Sequence, residues 1–326
     1  MRVYRGSVKN FFVEKEPTAD KIGEGYFEFT DDYSIFDYGK MPDTIAGKGE
    51  ALARLSSYNF EQVHKLSLKS HFRALVPPRR INVGVVRVLF PQRGELKKGE
   101  RNFLVPLEII FRNSLPEGSS VFKRLANGQL KPSDLGLDHA PRPGERLGKP
   151  LLDVSTKLEL TDRYLSWKDA EVLARLGHET IAQIQKIALK VNDFVTQKAV
   201  GLGLEHADGK IEVAISPSGK LVLVDVFGTL DENRLLFEGV HLSKQVLRDY
   251  YRTLPWYEKL ETAKASGVPK DKWPKPPMLP PELRDIVSNM YKSVCEAWTG
   301  EKTWNAPAIE EVVSDYRKFM KKSLKR

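Results

Sequence analysis

Along residues 208–234, DGKIEVAISPSGKLVLVDVFGTLDENR, charged and apolar residues alternate around a turn signal, and this stretch limits the fold more than any other. Two β-rich runs, 210–215 and 220–226, flank Pro217-Ser218-Gly219 and predict a β-hairpin. With Ser218-Gly219 as a two-residue loop, Glu212 faces Asp225 directly on the partner strand. Period-2 alternation places Asp208, Lys210 and Glu212 on one face with Asp225. Ile211, Val213, Ile215, Val222, Val224 and Val226 line the other. Carboxylates opposed on neighbouring strands have Cβ atoms only ~5 Å apart and repel. A hard cation such as Mg²⁺ would offset that, because one or two carboxylates, water and phosphate oxygens suffice to hold it. A solvated outer face, partly neutralised by Lys210, is the other reading, and the hairpin alone does not choose.

Composition narrows the setting. A chain of 326 residues, 41% hydrophobic and 10% aromatic, has the material for a full core in two or three lobes. A net charge of +9 suits anionic partners, whether nucleic acid or phosphorylated small molecules. The lone cysteine, Cys295, excludes an intrachain disulfide, and no apolar run approaches the ~20 residues that cross a bilayer. The start, MRVYRGSVKNFF, lacks an apolar signal core, so a cytoplasmic protein with no membrane partner is expected.

Three regions are expected. Residues 1–112 form a strand-rich N-terminal lobe, with a short helix at 52–69 and two strands from INVGVVRVLFP and NFLVPLEIIFRN around a charged loop at 92–101. Residues 113–254 form an α+β lobe. Its Gly/Pro-rich part, 113–153, predicts irregular structure, Ser166 a helix N-cap, 184–201 a long amphipathic helix leading to the hairpin, and HLSKQVLRDYYRTL a further helix. Residues 255–326 form a helical C-terminal extension: a Pro-rich connector, GVPKDKWPKPPMLPP, then helices from Pro281 to about Trp298 and from Asn305-Ala-Pro307 to the basic end KKSLKR.

Beyond the hairpin, three clusters carry anion-binding chemistry. Tyr4-Arg-Gly-Ser-Val-Lys9 places a glycine where backbone amides can approach phosphate, with Lys9 as a point charge; it is also an ordinary tight turn and no Walker A loop. Ser34-Ile-Phe-Asp37 and Ala46-Gly-Lys-Gly-Glu50 read either as a ligand-hugging loop before a helix or as a solvated one. Arg112, Gly118-Ser119-Ser120, Lys123-Arg124 and, beyond the hairpin, Arg234 are phosphomonoester donors or plain surface charge. His/Cys metal spacing, a G-x-S-x-G elbow and the H-R-D-x-x-x-x-N loop of protein kinases are absent from the sequence. The basic residues form no stripe with interleaved aromatics, which speaks against nucleic acid as a partner. A kinase-like phosphotransferase acting on a small anion and a non-catalytic RNA-binding module are readings that these residues leave open.

Taken in order, YRGSVK, SIFD with AGKGEALARLS, VPLEIIFRN with GSSVFKRL, STKLE, DGKIEV, VD followed by DENR, and SKQVLRD resemble the phosphoribosylaminoimidazole-succinocarboxamide synthases, the SAICAR synthetase family of purine biosynthesis, from Tyr4 to Asp249. The resemblance implies an α+β, ATP-grasp/kinase-like two-lobed fold: an antiparallel-sheet lobe over an α+β lobe, with extra C-terminal helices. It implies ATP-dependent ligation of 5-amino-1-(5-phosphoribosyl)imidazole-4-carboxylate to L-aspartate, with ATP and Mg²⁺. By position, Lys210, Glu212 and Asp225 become the catalytic set, and Glu212 and Asp225 the Mg²⁺ ligands. Gly6, Ser7, Val8, Lys9 and Lys210 would bind ATP. Arg112, Ser119 and Arg234 would hold the ribose phosphate, Asp37 and Lys48 would lie on the substrate side, and Lys244 and Arg248 would meet substrate carboxylates. The chain departs from the family pattern at Val226, where a second acid is usual, at Ser7, where a lysine is common, and at Gly209, where a bulky residue is expected beneath the nucleotide. The 92–101 loop and the region after about 255 look like additions, candidates for homo-oligomer contacts or for added stability.

Overall fold

The computed structural model describes residues 1–159 and 161–324, so the last two residues of the basic end lie outside it. The first region builds β1 (Arg2–Arg5), β2 (Lys9–Lys15), β3 (Gly23–Phe29), β4 (Asp32–Ser34), β5 (Lys40–Thr44), α1 (Lys48–Lys65), β6 (Phe72–Val76), β7 (Arg80–Val85) and β8 (Phe103–Leu104). The middle builds β9 (Leu107–Leu115), α2 (Ser120–Ala126), β10 (Glu145–Thr156), α3 (Trp167–Ala174), α4 (His178–Val200), β11 (Glu205–Ile215), β12 (Leu221–Val224), β13 (Asn233–Phe237), β14 (Val240–His241) and α5 (Gln245–Arg252). Then come α6 (Pro255–Ala265), α7 (Pro281–Thr299) and α8 (Ile309–Ser323). An antiparallel sheet ordered β1-β2-β3-β7-β6 forms the upper lobe; a second sheet ordered β10-β9-β11-β13-β14, with β8 and β12 also paired to β11, forms the lower one. Among the described residues no helix is long and apolar enough to cross a membrane.

Several boundaries differ from expectation for local reasons. Helix α1 starts at Lys48, four residues early, because Gly47 adopts the left-handed conformation (φ 80°) that turns the chain into the helix. Helix α4 starts at His178, just after Gly177, well before the periodic run at 184. The Gly/Pro-rich stretch hides α2 and the 12-residue strand β10. Strand β10 pairs with β9 on either side of a register shift between Arg146 and Leu151, and that irregularity absorbs Gly148 and Pro150. Tertiary pairing made that strand; composition could not. Ser166 caps α3 as expected, its Oγ accepting from Asp169 N at 3.1 Å. Ser166→Ala should cost about 1 kcal/mol, read as a lower denaturant midpoint at unchanged slope.

The C-terminal helices pack into the main core. One apolar cluster runs from Phe27 and Phe29 through Phe60, Ile211 and Val226 to Val294, Trp298 and Tyr316. Trp298 Nε1 donates to Asn59 Oδ1 at 2.9 Å, and Asn59 Nδ2 donates to the Phe227 carbonyl at 3.0 Å, tying α7 through α1 to the exit of the hairpin.

Candidate active site

Strand β11 is the axis of the site. It pairs with β8, β9, β12 and β13 and is buried along nearly its whole length, so its acidic face lines an interior cleft and is no solvated outer surface. The hairpin register is one residue from the expected one: Glu212 pairs with Val224, Val213 with Leu223 and Ile215 with Leu221. The cause is the loop, which holds three residues, Pro217 to Gly219, closed by Ser216 N donating to the Lys220 carbonyl at 2.8 Å. Leu221 and Leu223, in place of Val222 and Val224, therefore stand opposite Ile215 and Val213. Asp225 lies just past β12 with φ 56°, a left-handed backbone rare for a residue other than glycine, and this turn brings its carboxylate beside Glu212 after all. Val226 points into the core, so no second acid stands there. Gly209 is required by packing: a Cβ would lie 2.0 Å from Asn233 Nδ2 and 2.6 Å from Phe111 Cε2, which leaves no room for a bulky residue.

Carboxylates and ammonium groups alternate through the cleft. Lys9 pairs with Asp225; Lys157 Nζ donates to Glu212 Oε1 at 2.6 Å and to Glu108 Oε1 at 2.9 Å; Lys210 Nζ donates to the same Glu108 oxygen at 2.9 Å and lies 3.3 Å from Glu232 Oε2. Burial first, then the charge of Asp225, pushes Glu212 up to about 8, against the pull of Lys157 and Lys210. Burial also opposes the charge on Asp225, but Lys9 and Lys157 outweigh it and hold that carboxyl well below the usual range. His71, pushed down to about 4 by burial, is neutral and donates from Nε2 to the Asp225 carbonyl at 2.9 Å, bracing the turn. Glu108, Lys157 and Glu232 escaped sequence reasoning. Glu108 was findable, because period-2 alternation along β9 puts it on one face with Arg112.

One cavity opens directly on this ladder, at Lys210 and Glu232, and a second lies further along β2. The first, basic and of about 420 Å³, is lined by Arg112, Lys210, Arg234, Lys244 and Arg248, five of the expected residues. Asp208 lies between the arginines, accepting from Arg112 Nη1 at 3.1 Å and from Arg234 Nε at 2.8 Å. Arg112 Nη2 also reaches Tyr164 OH at 3.0 Å and Ser120 Oγ at 3.2 Å. Ser120 lines this cavity, whereas the Ser119 hydroxyl caps α2 by accepting from Val121 N at 3.4 Å. Lys48 is fully buried on Asp231, and Asp37, exposed with φ 56°, faces Arg248, whose charge it favours. A second cavity, about 560 Å³, opens between β1–β2 and the segment after β7, and is lined by Phe11, Val13, Val85, Val88 and Leu89. Alternation puts Lys9, Phe11 and Val13 on one face of β2, so this apolar cavity leads along β2 to the Lys9–Asp225 pair. Gly6, Ser7 and Val8 join β1 to β2; Gly6 N donates to the Lys9 carbonyl at 3.1 Å, and a Cβ on Gly6 would lie 2.5 Å from that oxygen.

Among the described residues, no three acidic or imidazole side chains converge as a ready-made metal cage. The donor set is nevertheless of the kind that suits Mg²⁺, which takes one or two carboxylates and leaves its other positions to water and phosphate. Glu212, buried beside a second carboxylate and resisting ionisation, is the group that a divalent cation would relieve.

An antiparallel lobe over a mixed lobe, with a basic cavity opening on buried carboxylates and lysines, has the ATP-grasp-like arrangement expected of an ATP-dependent ligase. The family model described as SAICAR synthetase matches residues 2–263. A protein of Archaeoglobus fulgidus carrying the name phosphoribosylaminoimidazole-succinocarboxamide synthase is 41% identical over 97% of this chain and 99% of its own. The synthase of that name from Thermoplasma acidophilum is 36% identical over 92% of this chain and 99% of its own. The chain belongs to the SAICAR synthetase family. Among solved structures, a SAICAR synthetase in complex with ADP superposes with a TM-score of 0.63 at 24% identity, covering 93% of this chain and 99% of the other. The Saccharomyces cerevisiae SAICAR synthase complexed with SAICAR gives 0.67 at 21% identity, covering 93% and 96%; these two likenesses speak for the fold.

Proposed function

We propose that the chain joins the carboxylate of 5-amino-1-(5-phosphoribosyl)imidazole-4-carboxylate to the amine of L-aspartate, converting ATP to ADP and phosphate through an acyl phosphate. The observation that carries this reading is a buried carboxylate–lysine ladder that opens on a basic cavity suited to a phosphorylated, carboxylated substrate, with an apolar cavity suited to a purine further along β2. A carboxylate is a poor acyl donor, because its leaving group would be oxide. Phosphorylation supplies a leaving group, after which the amine attacks the carbonyl carbon and phosphate departs.

In this reading adenine enters between Phe11, Val13 and Leu89, with its phosphates running along β2 beneath the Gly6–Val8 turn to Lys9 and Lys210. Arg112, Arg234, Ser120 and the neighbouring Ser119 hold the ribose phosphate at the Asp208 end. Lys244 and Arg248 take substrate carboxylates, and Asp37 and Lys48 border that end. Glu212 and Asp225 would hold Mg²⁺, whose contribution is to neutralise charge on the transferring phosphate. Lys157 and Lys210 add fixed positive charge in a water-poor cleft, where it acts most strongly. The purified chain with Mg-ATP, the ribotide and L-aspartate should release ADP and the succinocarboxamide in equal amounts. ADP formed equally well without aspartate, or no coupled product, rejects the proposal.

A further inference from the structure

Asp231 lines the basic cavity, and its two oxygens are held from two different helices. Oδ2 accepts from Lys48 Nζ, at the start of α1, at 2.8 Å; Oδ1 accepts from Tyr291 OH, in the middle of α7, at 2.7 Å. Lys48 and Tyr291 are 0% and 1% exposed, and the Lys48 ammonium stands 5.5 Å from the Tyr291 ring centroid. Lys244 lines the same cavity. Its charge is disfavoured first by burial, and Asp231 exerts the strongest attraction on it, followed by Glu232; Arg248 and Lys48 repel it. Yet among the described residues no carboxylate forms an ion pair with Lys244, and the one that attracts it most, Asp231, is held by Lys48 and Tyr291.

We propose that Tyr291 is a positioning residue: by fixing Asp231 on Lys48, it keeps that carboxylate off Lys244 and leaves the Lys244 ammonium free for an anionic group of a substrate. The physical ground is competition for a carboxylate. Without the phenol, Oδ1 of Asp231 is a buried carboxylate oxygen short of a donor, and the ammonium of Lys244, which lines the same cavity and is attracted most by Asp231, is the cation left to satisfy it. Helix α7 lies beyond residue 263, where the family model ends, so this contribution comes from outside the part of the chain that the family pattern describes. A second tie, Ser288 Oγ donating to the Ala46 carbonyl at 2.6 Å, docks the same helix on the turn before α1 without touching Asp231.

The inference rests on the ligase reading only for the identity of the substrates. Steady-state kinetics of the full chain carrying Tyr291→Phe should show the KM of the ribotide or of L-aspartate raised roughly tenfold, the loss of one charged contact. The value of kcat should stay within about twofold, and the KM for ATP, bound along β2, should not move. The pH profile adds a readout that a purely structural role would leave alone. In the wild type, substrate affinity should fall as Lys244 deprotonates below the ordinary lysine range; in Tyr291→Phe, pairing with Asp231 should carry that limb to higher pH. Ser288→Ala is the control and should leave these KM values in place. Unchanged KM values and an unchanged limb, with only a lower melting temperature, would overturn the proposal; so would an equal rise in Ser288→Ala, which would assign the effect to docking of the helix. A wild-type chain that makes no product counts against the ligase reading instead. Calorimetric affinities for the two anionic substrates then test Tyr291 by the same tenfold difference.

Discussion

Glu212→Gln and Asp225→Asn should each lower formation of the succinocarboxamide by about a thousandfold or more, roughly 4 kcal/mol of transition-state stabilisation, in a chain that remains folded. Neither amide supplies the negative charge that a hard cation needs, and each leaves the other carboxylate alone beside Lys9 and Lys157. The two variants separate in their stability, and the signs are opposite. Glu212 has a folded value of about 8, above its unfolded value of ~4.3. Its ionisation therefore costs nothing at acid pH and costs progressively more as pH rises through that window. Glu212→Gln should remove that decline and flatten the melting temperature between pH 5 and 8, less what Lys157 loses in a partner. Asp225 is held below the carboxylate range, so its contribution is present above its unfolded value and lost as pH falls. Asp225→Asn should be less stable than wild type at neutral pH, with the gap closing in acid. Near-normal turnover of either variant at saturating Mg²⁺ would remove these residues from the role.

The β11 face was legible because a strand repeats every two residues: Asp208, Lys210 and Glu212 fall on one side whatever the partner does. Their partner across the hairpin was not, because a three-residue and a two-residue loop share the Pro-Ser-Gly signal and differ by one step of register. Two errors then cancelled. The expected rung between Glu212 and Asp225 does not exist as a strand pair, yet the left-handed turn at Asp225, which no propensity announces, restores the proximity. Arg112, Arg234, Lys244 and Arg248 could be named singly from sequence. That Arg112 and Arg234 meet follows from β9 and β13 flanking β11, a long-range fact, and α5 brings Lys244 and Arg248 to the same cavity. Lys157 was hidden because it follows β10, a strand whose Gly148 and Pro150 argue locally against any strand. Tyr291 sat in the helix expected from Pro281 to about Trp298, with nothing in the sequence to single it out, and its reach to Asp231 is what distinguishes it.

Asp208→Asn should be the most damaging change to stability that leaves the shape of a side chain intact. The carboxylate is 5% exposed and holds Arg112 and Arg234, the former through Nη1 and the latter through both Nε and Nη2. Burial opposes its charge, but Arg234 and then Arg112 overcome that and hold it below the usual range. Taking one partner from a buried ion cluster typically costs about 3–5 kcal/mol, because the charges left behind stay desolvated. Here Arg234 would lose its carboxylate and Arg112 would keep only that of Asp153, at 3.6 Å, while Arg112 Nε already lacks a hydrogen-bond partner. At roughly 2–4 °C per kcal/mol for chains of about this size, the melting temperature at pH 7 should fall by about 10 °C. The stabilisation by Asp208 exists above its unfolded pKa and is lost as pH falls through the folded one, so the deficit should shrink towards acid pH. Inorganic phosphate should also restore more stability to the variant than it adds to the wild type, since an anion bound only by the folded state raises stability by mass action. A melting temperature within 2 °C of wild type at pH 7, or an equal response of both proteins to phosphate, would show that the two arginines do not depend on Asp208 and would remove the electrostatic basis for treating that end of the cavity as a phosphate site.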